Sequence, residues 1–290
     1  MEFTLNHLFC FGFGYSARAL AARLDKRTWR ISATSRDSEG ISGTKAQGFH
    51  GFLFDSKLRI PSDVTHLLIS APPGEQGDPV LHLFQEQLQR RSENLKWVGY
   101  LSTTGVYGDR GGDWVDEESP LEPKTARGQR RLEAELNWLK LYSDFGLPVH
   151  LFRLAGIYGP GRNQLLNVRD GSAKRIIKPG QIFSRIHVED IAGVLAASIA
   201  KPNPGRPYNV CDDEPCPPQE VVAYAADLLG LPPPPEIPFE EAELSPMAKS
   251  FYADSKRVSN RRIKIELGYK LIYPNYRDGL GALLKLLPVY

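Results

Sequence analysis

The run Leu8–Arg18, LFCFGFGYSAR, constrains this chain more than any other stretch. Four apolar residues, Leu8, Phe9, Cys10 and Phe11, meet a glycine pair. Ala17, Ala19, Leu20, Ala21, Ala22 and Leu24 follow in a helical pattern. That order predicts a buried parallel strand, a tight turn and a helix. Gly12 permits the turn, and Gly14 lets a pyrophosphate approach the backbone. Ala17 stands at the third glycine position, where a small residue lets helix pack on strand. The amides at the helix start can then hold phosphates. Gly12, Phe13, Gly14, Tyr15 and Ser16 are therefore a candidate dinucleotide-binding turn. A plain strand–turn–helix is the bland alternative.

The next segments repeat the alternation. Trp29–Thr34 reads as a second strand ending at Ser35-Arg36. In a dinucleotide fold an acid at this place binds the 2′-hydroxyl of NAD, and an arginine accommodates the 2′-phosphate of NADP. Ser35 is no acid and Arg36 follows at once, so NADP is the expected cofactor and NAD the alternative; Asp37 weighs slightly the other way. Gly51–Phe54 is a short third strand closed by Asp55. His66–Ser70 is a buried fourth, stopped by Ala71-Pro72-Pro73-Gly74 in a loop over the cofactor face. Pro79–Asn94 has the spacing of an amphipathic helix. Trp97–Leu101 is a fifth strand leading into Ser102-Thr103-Thr104-Gly105-Val106-Tyr107-Gly108. Thr125–Phe145 is a long helix, with Leu132, Leu136, Leu139 and Leu141 on or near one face. Val149–Arg153 is a sixth strand. Strands alternating with helices predict an α/β Rossmann fold, a doubly wound parallel sheet.

Beyond Asn163 the pattern loosens. Residues 1–163 read as the dinucleotide-binding domain. Residues 164–290 read as a mainly substrate-binding domain, with segments near 186–212 returning to the sheet. Ile186–Ala200 reads as a short strand and a helix, Arg206–Asp212 as a strand, and Pro218–Gly230 as a helix. Pro232–Pro235 is a polyproline II linker. Asp254–Gly268 and Asp278–Leu287 read as final helices.

Composition narrows the function classes. Of 290 residues, 41% are hydrophobic and 24% charged, the profile of an ordinary globular protein. The net charge of +2 is too small to argue for nucleic acid. Two basic clusters, Arg127–Arg131 and Lys256–Lys264, are interleaved with acids and apolar residues and read as solvated helix faces. Three scattered cysteines give no disulfide framework, and six histidines show no metal-ligand spacing. No run approaches a membrane span, and no secretory signal pattern opens the chain. The expectation is a cytoplasmic protein with a small-molecule substrate and neither nucleic acid nor membrane as partner.

Seven motifs now stand in order: the glycine turn, STTGVYG, RLEAE, FRLAGIYGPG, RIHVEDIA, YNVCDDEP and ELGYK. Together they resemble extended short-chain dehydrogenases/reductases, the NAD(P)-dependent epimerase/dehydratase-like family, over about Leu8 to Leu287. The resemblance implies a Rossmann domain with a smaller C-terminal substrate domain. It also implies a homodimer packed through the helices at Pro79–Asn94 and Thr125–Phe145. Asp55 would lie near the adenine, Ala71 and Pro72 along the cofactor's inner edge, and Ser102 beside the cofactor.

The departures carry equal weight. GFGYSA stands where the family usually has GxxGxxG. The family's catalytic Tyr and, four residues on, Lys match Arg127 and Arg131 here. Thr103 falls at the family's catalytic Ser/Thr. Arginine stays protonated and cannot serve as the acid/base, but it can bind an anion bidentately and stabilise developing negative charge. The alternative for Arg127 and Arg131 is a helix-surface pair, with Glu135 as ion-pair partner of Arg131. Tyr107 is a candidate displaced proton donor, though a structural role explains it better. His187 and Asp190 match a motif near the substrate pocket, but strand-end placement and helix capping account for them. Asp116-Glu117-Glu118 lies outside the loop where dehydratases carry their acids. Arg162, Lys174, Arg175 and Arg185 are candidates to cradle a diphosphate or another anion. The leading expectation is an NAD(P)-binding oxidoreductase or epimerase/dehydratase-like protein with an atypical site: Thr103, Arg127, Arg131 and Tyr107. Its substrate is a small molecule of unidentified structure, an anionic one such as a nucleotide sugar among the candidates. The rival is a non-catalytic NADP(H)-binding regulatory or sensor protein.

Overall fold

The computed structural model describes residues 5–287, apart from the side chain of Met247. The first half of the chain runs β1 (Asn6–Phe11), α1 (Tyr15–Arg23), β2 (Trp29–Ser35), α2 (Ser38–Ala46), β3 (His50–Leu53) and β4 (His66–Ile69). It continues through α3 (Pro79–Gln89), β5 (Trp97–Thr103), β6 (Trp114–Val115), α4 (Ala126–Phe145) and β7 (Val149–Leu154). The second half brings β8 (Gly156–Tyr158), α5 (Gln164–Arg169), β9 (Arg175–Ile177), β10 (Arg185–His187), α6 (Val188–Ala200) and β11 (Pro207–Val210). Last come α7 (Pro218–Leu228), β12 (Glu236–Pro238), α8 (Pro246–Tyr252), β13 (Arg257–Val258), α9 (Arg261–Ile265) and α10 (Tyr276–Leu284).

Seven strands form one parallel sheet in the order β11-β7-β5-β4-β1-β2-β3. Alternation along β1 explains why both faces are covered. Leu8 and Cys10 join the core under α1 and α6, with Leu20, Ala21, Ile191 and Leu195. Phe9 and Phe11 join the opposite core under α3 and α4, with Phe84, Leu88, Trp138 and Leu141. A strand with helices on both faces must be apolar throughout, as the run from Leu8 to Phe11 is. This is the Rossmann-like α/β fold. Among the described residues, no helix is long and apolar enough to cross a membrane.

The strand order places the site. After β1 the chain winds outward to β2 and β3, then returns to the other side of β1 for β4, β5, β7 and β11. The switch point lies between β1 and β4, and crevices at the carboxyl ends of strands flanking such a point bind ligands. A smaller body of α5, α7, α10 and the pairs β8–β10 and β9–β12 stands over that edge with its own core.

Two sequence expectations are corrected here. The buried face of α4 is not its leucine row: it carries Gly128, Arg131, Ala134, Glu135, Trp138 and Leu141, while Leu136 is 57% exposed. Polar partners beneath the helix make buried charges tolerable on that face, so hydrophobic spacing alone misplaces it. Asp254–Gly268 is not one helix. Ser255 accepts no helical role: its amide donates to Asp109 and its hydroxyl to the Gly180 carbonyl. Arg257–Val258 then pairs with β6, and only Arg261–Ile265 is helical.

Candidate functional site

The glycine turn is built as its sequence requires. Gly12 has φ +87°, a left-handed conformation that favours glycine. A Cβ there would stand 3.3 Å from the Ala71 amide nitrogen, so the turn packs directly on the strand end after β4. The Gly12 amide donates to the Thr34 hydroxyl at 2.9 Å, tying β1 to β2. Gly14 is different: its missing side chain faces open space, with only the Ser70 hydroxyl 3.7 Å from the Cβ position. Gly14 is the N-cap of α1 and supplies no side-chain acceptor. By contrast α2, α3, α4 and α5 are capped by Asp37, Asp78, Thr125 and Asn163. The first-turn amides of α1 are thus left for something other than a side chain.

These amides open into a cavity of about 680 Å³. Gly14, Tyr15 and Ser16 line one end, and Leu101, Ser102, Thr103 and Gly105 after β5 form the floor. Arg127, Gly128 and Arg131 of α4 form one wall. Arg162, Asn163, Arg185, Phe251, Asp254 and Lys256 approach from the smaller body. Gly128 makes the α4 wall possible: a Cβ there would stand 3.1 Å from the Gly105 carbonyl oxygen and 2.7 Å from Pro123. Without it, the first turn of α4 could not come so close to the loop after β5.

The polar groups on the floor are held but not saturated. Thr103 accepts from the Gly105 amide at 3.1 Å, which leaves its hydroxyl proton to donate. Ser102 is 5% exposed and its hydroxyl has no partner among the described residues. Arg131 is 8% exposed, and its Nη1 donates to the Leu101 carbonyl at 2.8 Å and the Tyr100 hydroxyl at 3.1 Å. Burial lowers the Arg127 pKa, and the neighbouring charges of Arg131 and Arg162 lower it further. None of these three arginines makes an ion pair among the described residues. Tyr15 donates to the Pro160 carbonyl at 2.9 Å and so ties the glycine turn to the loop bearing Arg162. Among the described residues no cluster of metal-ligating side chains occurs.

The structure thus brings Gly14, Tyr15, Ser16, Ser102, Thr103, Arg127 and Arg131 together in one cavity. Gly12, Phe13, Ser35, Arg36, Asp55, Ala71 and Pro72 lie outside its lining, along the carboxyl ends of β1 to β4. Phe13 packs edge-on against Phe49. Arg36 is exposed between Ser35 and the capping residue Asp37, and Asp55 accepts from the Lys57 and Leu58 amides in a turn. Tyr107 is not brought to the cavity. It is fully buried, donates to Asn209 Oδ1 at 2.7 Å and accepts from Arg153 Nη1 at 2.9 Å. Burial pushes its pKa up to about 12.

Geometry also fixes the roles of the other charged residues. Glu135 does not pair with Arg131; it holds Arg153 beneath the sheet edge instead. Neither basic cluster is a wholly solvated face, because Arg131 and Lys256 are buried at the cavity. His187 caps α6, and burial lowers its pKa to about 4. Asp190 accepts from the Tyr269 hydroxyl and the Ile272 and Tyr273 amides, a structural tie. Glu117 accepts from the Asn209 amide and Glu118 meets Arg262. Lys174 donates to the Glu243 carbonyl and Arg175 pairs with Glu236, which leaves Arg162 and Arg185 at the cavity. Sequence reasoning missed Asn163, Phe251, Asp254 and Lys256, which reach the site only through the fold of the second half.

No family model matches the chain. A structure described as a functionally unknown conserved protein from Silicibacter pomeroyi DSS is 54% identical, with TM-score 0.91, covering 97% of this chain and 98% of that one. Protein YeeZ of Escherichia coli is 28% identical over 91% of this chain and 95% of its own length. A 3-diazoavenalumate denitrifying reductase of Streptomyces is 31% identical over 58% of each chain. The structure of human epimerase family protein SDR39U1 with NADPH is 18% identical, with TM-score 0.77, over 98% of this chain and all of that one. That last likeness is one of fold.

Proposed function

We propose that this chain, which belongs to one family with the conserved Silicibacter pomeroyi protein, binds NADP(H) and moves a hydride to or from an anionic small molecule. The observation that carries the reading is the uncapped start of α1, opening beside bare Gly14 into the cavity that also holds Thr103 and Arg131. The residues fit the cofactor. The free amides of the first turn suit a pyrophosphate, and the unpartnered Ser102 hydroxyl and the Arg131 guanidinium face the place where a nicotinamide riboside would lie. The human neighbour of the same fold was solved with NADPH, and the Streptomyces relative is named as a reductase. When bound, the nicotinamide supplies or accepts the hydride.

The chain's own residues do the rest. Thr103 would donate a hydrogen bond to the substrate oxygen, orienting and polarising it. Arg131 would stabilise the negative charge that grows on that oxygen as the carbon receives hydride, with Arg127 adding positive charge further out. The arginines keep their protons, and the Tyr107 hydroxyl is engaged away from the cavity. The proton that completes the reduction is therefore left to water or to the substrate itself, with the ammonium of Lys256 as the remaining donor at the cavity. Lack of a positioned general acid typically costs about 10²–10⁴ in rate, so turnover is expected to be slow. The second reading, a sensor without turnover, rests on the same residues: the resemblance matches Arg127 and Arg131 to the family's Tyr and Lys.

Calorimetric titration tests the cofactor assignment. Arg36 on the 2′-phosphate would contribute about 1.5–3 kcal/mol, or roughly tenfold to a hundredfold tighter binding of NADPH than NADH. Arg36→Ala should abolish most of that preference and leave NADH binding nearly unchanged. Equal wild-type affinities would sink the NADP assignment. Tight NADPH binding with no turnover on a broad carbonyl panel would favour the sensor.

A further inference from the structure

The arginine wall has a second feature beside it. The guanidinium of Arg127 lies over the ring of Phe251, 5.7 Å from its centroid. Phe251 sits at the cavity lining and is still 51% exposed, a large apolar face left in water at the mouth of a charged cavity. The deeper walls are apolar as well, with Leu101, Leu154, Ile157, Phe183, Val221 and Leu280. The nearby carboxylate of Asp254 is taken by Lys256 at 3.3 Å. Arg127, Arg131 and Arg162 thus have no ion-pair partner among the described residues, although the Asp78 carboxylate lies within electrostatic range of Arg131. Arg131 is itself nine-tenths buried.

Resting on the reading of a small-molecule site above, we propose that the ligand class is an aryl carboxylate: a flat apolar body with a carboxylate at one end. The carboxylate would meet Arg127 and Arg162, neighbours at the cavity whose planar forks suit its two oxygens, and Arg131 is left to the reacting oxygen. The ring would cover the Phe251 face and enter between the apolar walls. Rings stacked in this way gain more than the area they bury. A phosphate would be served by the arginines equally well, but would leave Phe251 and the apolar walls uncovered.

The probes are benzoate, cinnamate and naphthoate, each with its primary amide, together with acetate and inorganic phosphate. Binding is measured by calorimetry and ligand-observed NMR, on the protein alone and on the protein saturated with NADP⁺. At least one aryl carboxylate should bind about tenfold or more tightly than its amide, because charge-assisted bonds to arginine are lost with the charge. It should also outbind acetate. Arg127→Gln should weaken it about tenfold or more, and Phe251→Ala by about twofold to tenfold. Circular dichroism spectra matching wild type would show that both variants fold. The proposal is overturned if no aryl carboxylate binds, if amides bind equally, or if inorganic phosphate binds as tightly as the best acid. Failure of NADP⁺ to bind would strike the cofactor reading alone, since the acids are also titrated without it.

Discussion

Glu135→Gln is expected to be among the most damaging single changes in the chain. Glu135 and Arg153 are 1% and 4% exposed at their side chains. Arg153 Nε donates to both carboxylate oxygens at 3.2 Å, and Nη2 donates to Oε2 at 2.9 Å. Its remaining Nη1 holds the Tyr107 hydroxyl, which holds Asn209 in turn. Glutamine keeps the volume and removes the charge, so an arginine that cannot neutralise itself is left in the interior. Removing one partner of a buried pair costs about 3–5 kcal/mol, whereas replacing both by apolar residues is often neutral. Glu135→Leu with Arg153→Met should therefore recover much of what Glu135→Gln loses. Urea unfolding, followed by the emission of buried Trp97 and Trp138, gives the midpoints and slopes needed. A loss below about 1 kcal/mol, the range of an exposed pair, would refute the reasoning. So would a double variant less stable than either single one.

Acid should unfold the protein steeply. Burial lowers the pKa values of His66, His150 and His187 to about 4 each. A lowered folded pKa means stability that is present above the unfolded value near 6.5 and lost as pH falls through 4. Asp212 acts oppositely: burial raises it to about 8, so its contribution is present below its unfolded value and lost as pH rises through 8. Near pH 5 the histidines should take up protons on unfolding, while Asp212 and the buried Asp78, Glu117 and Asp190, whose pKa values burial also raises, release them. Urea midpoints should fall as pH drops from about 6 to about 4, and less so in His150→Gln, whereas an unchanged slope in that variant would contradict the assignment. A homodimer through the outer faces of α3 and α4 is also expected, with exposed Leu136 in the contact. Sedimentation should show Leu136→Glu shifted toward monomer, and a wild-type monomer at high concentration would reject the dimer.

Much of the fold was legible because parallel strands buried on both faces leave apolar runs that few other structures explain. Leu8–Phe11 and His66–Ile69 are such runs, and the glycine turn after the first marks the binding edge. The inner face of α4 was not legible. Arg131, Glu135 and Trp138 face inward because Leu101, Arg153 and Asp78 lie beneath them, and those partners are distant in sequence. The role of Tyr107 was hidden for the same reason: its hydroxyl partner Asn209 comes from the last strand of the sheet. The cavity wall from the second half was least visible. Phe251 sits in the short α8, which no clear sequence pattern announces, and Lys256 lies in the loop before β13, inside a stretch whose spacing reads as helix.

A crystal structure of the protein soaked with NADPH tests the central claim most directly. The pyrophosphate is expected at the first-turn amides of α1 beside Gly14, and the nicotinamide between Ser102, Thr103 and Arg131. The 2′-phosphate should lie within reach of Arg36. Density for the cofactor elsewhere, or a cavity that stays free of it at saturating NADPH, would contradict the account.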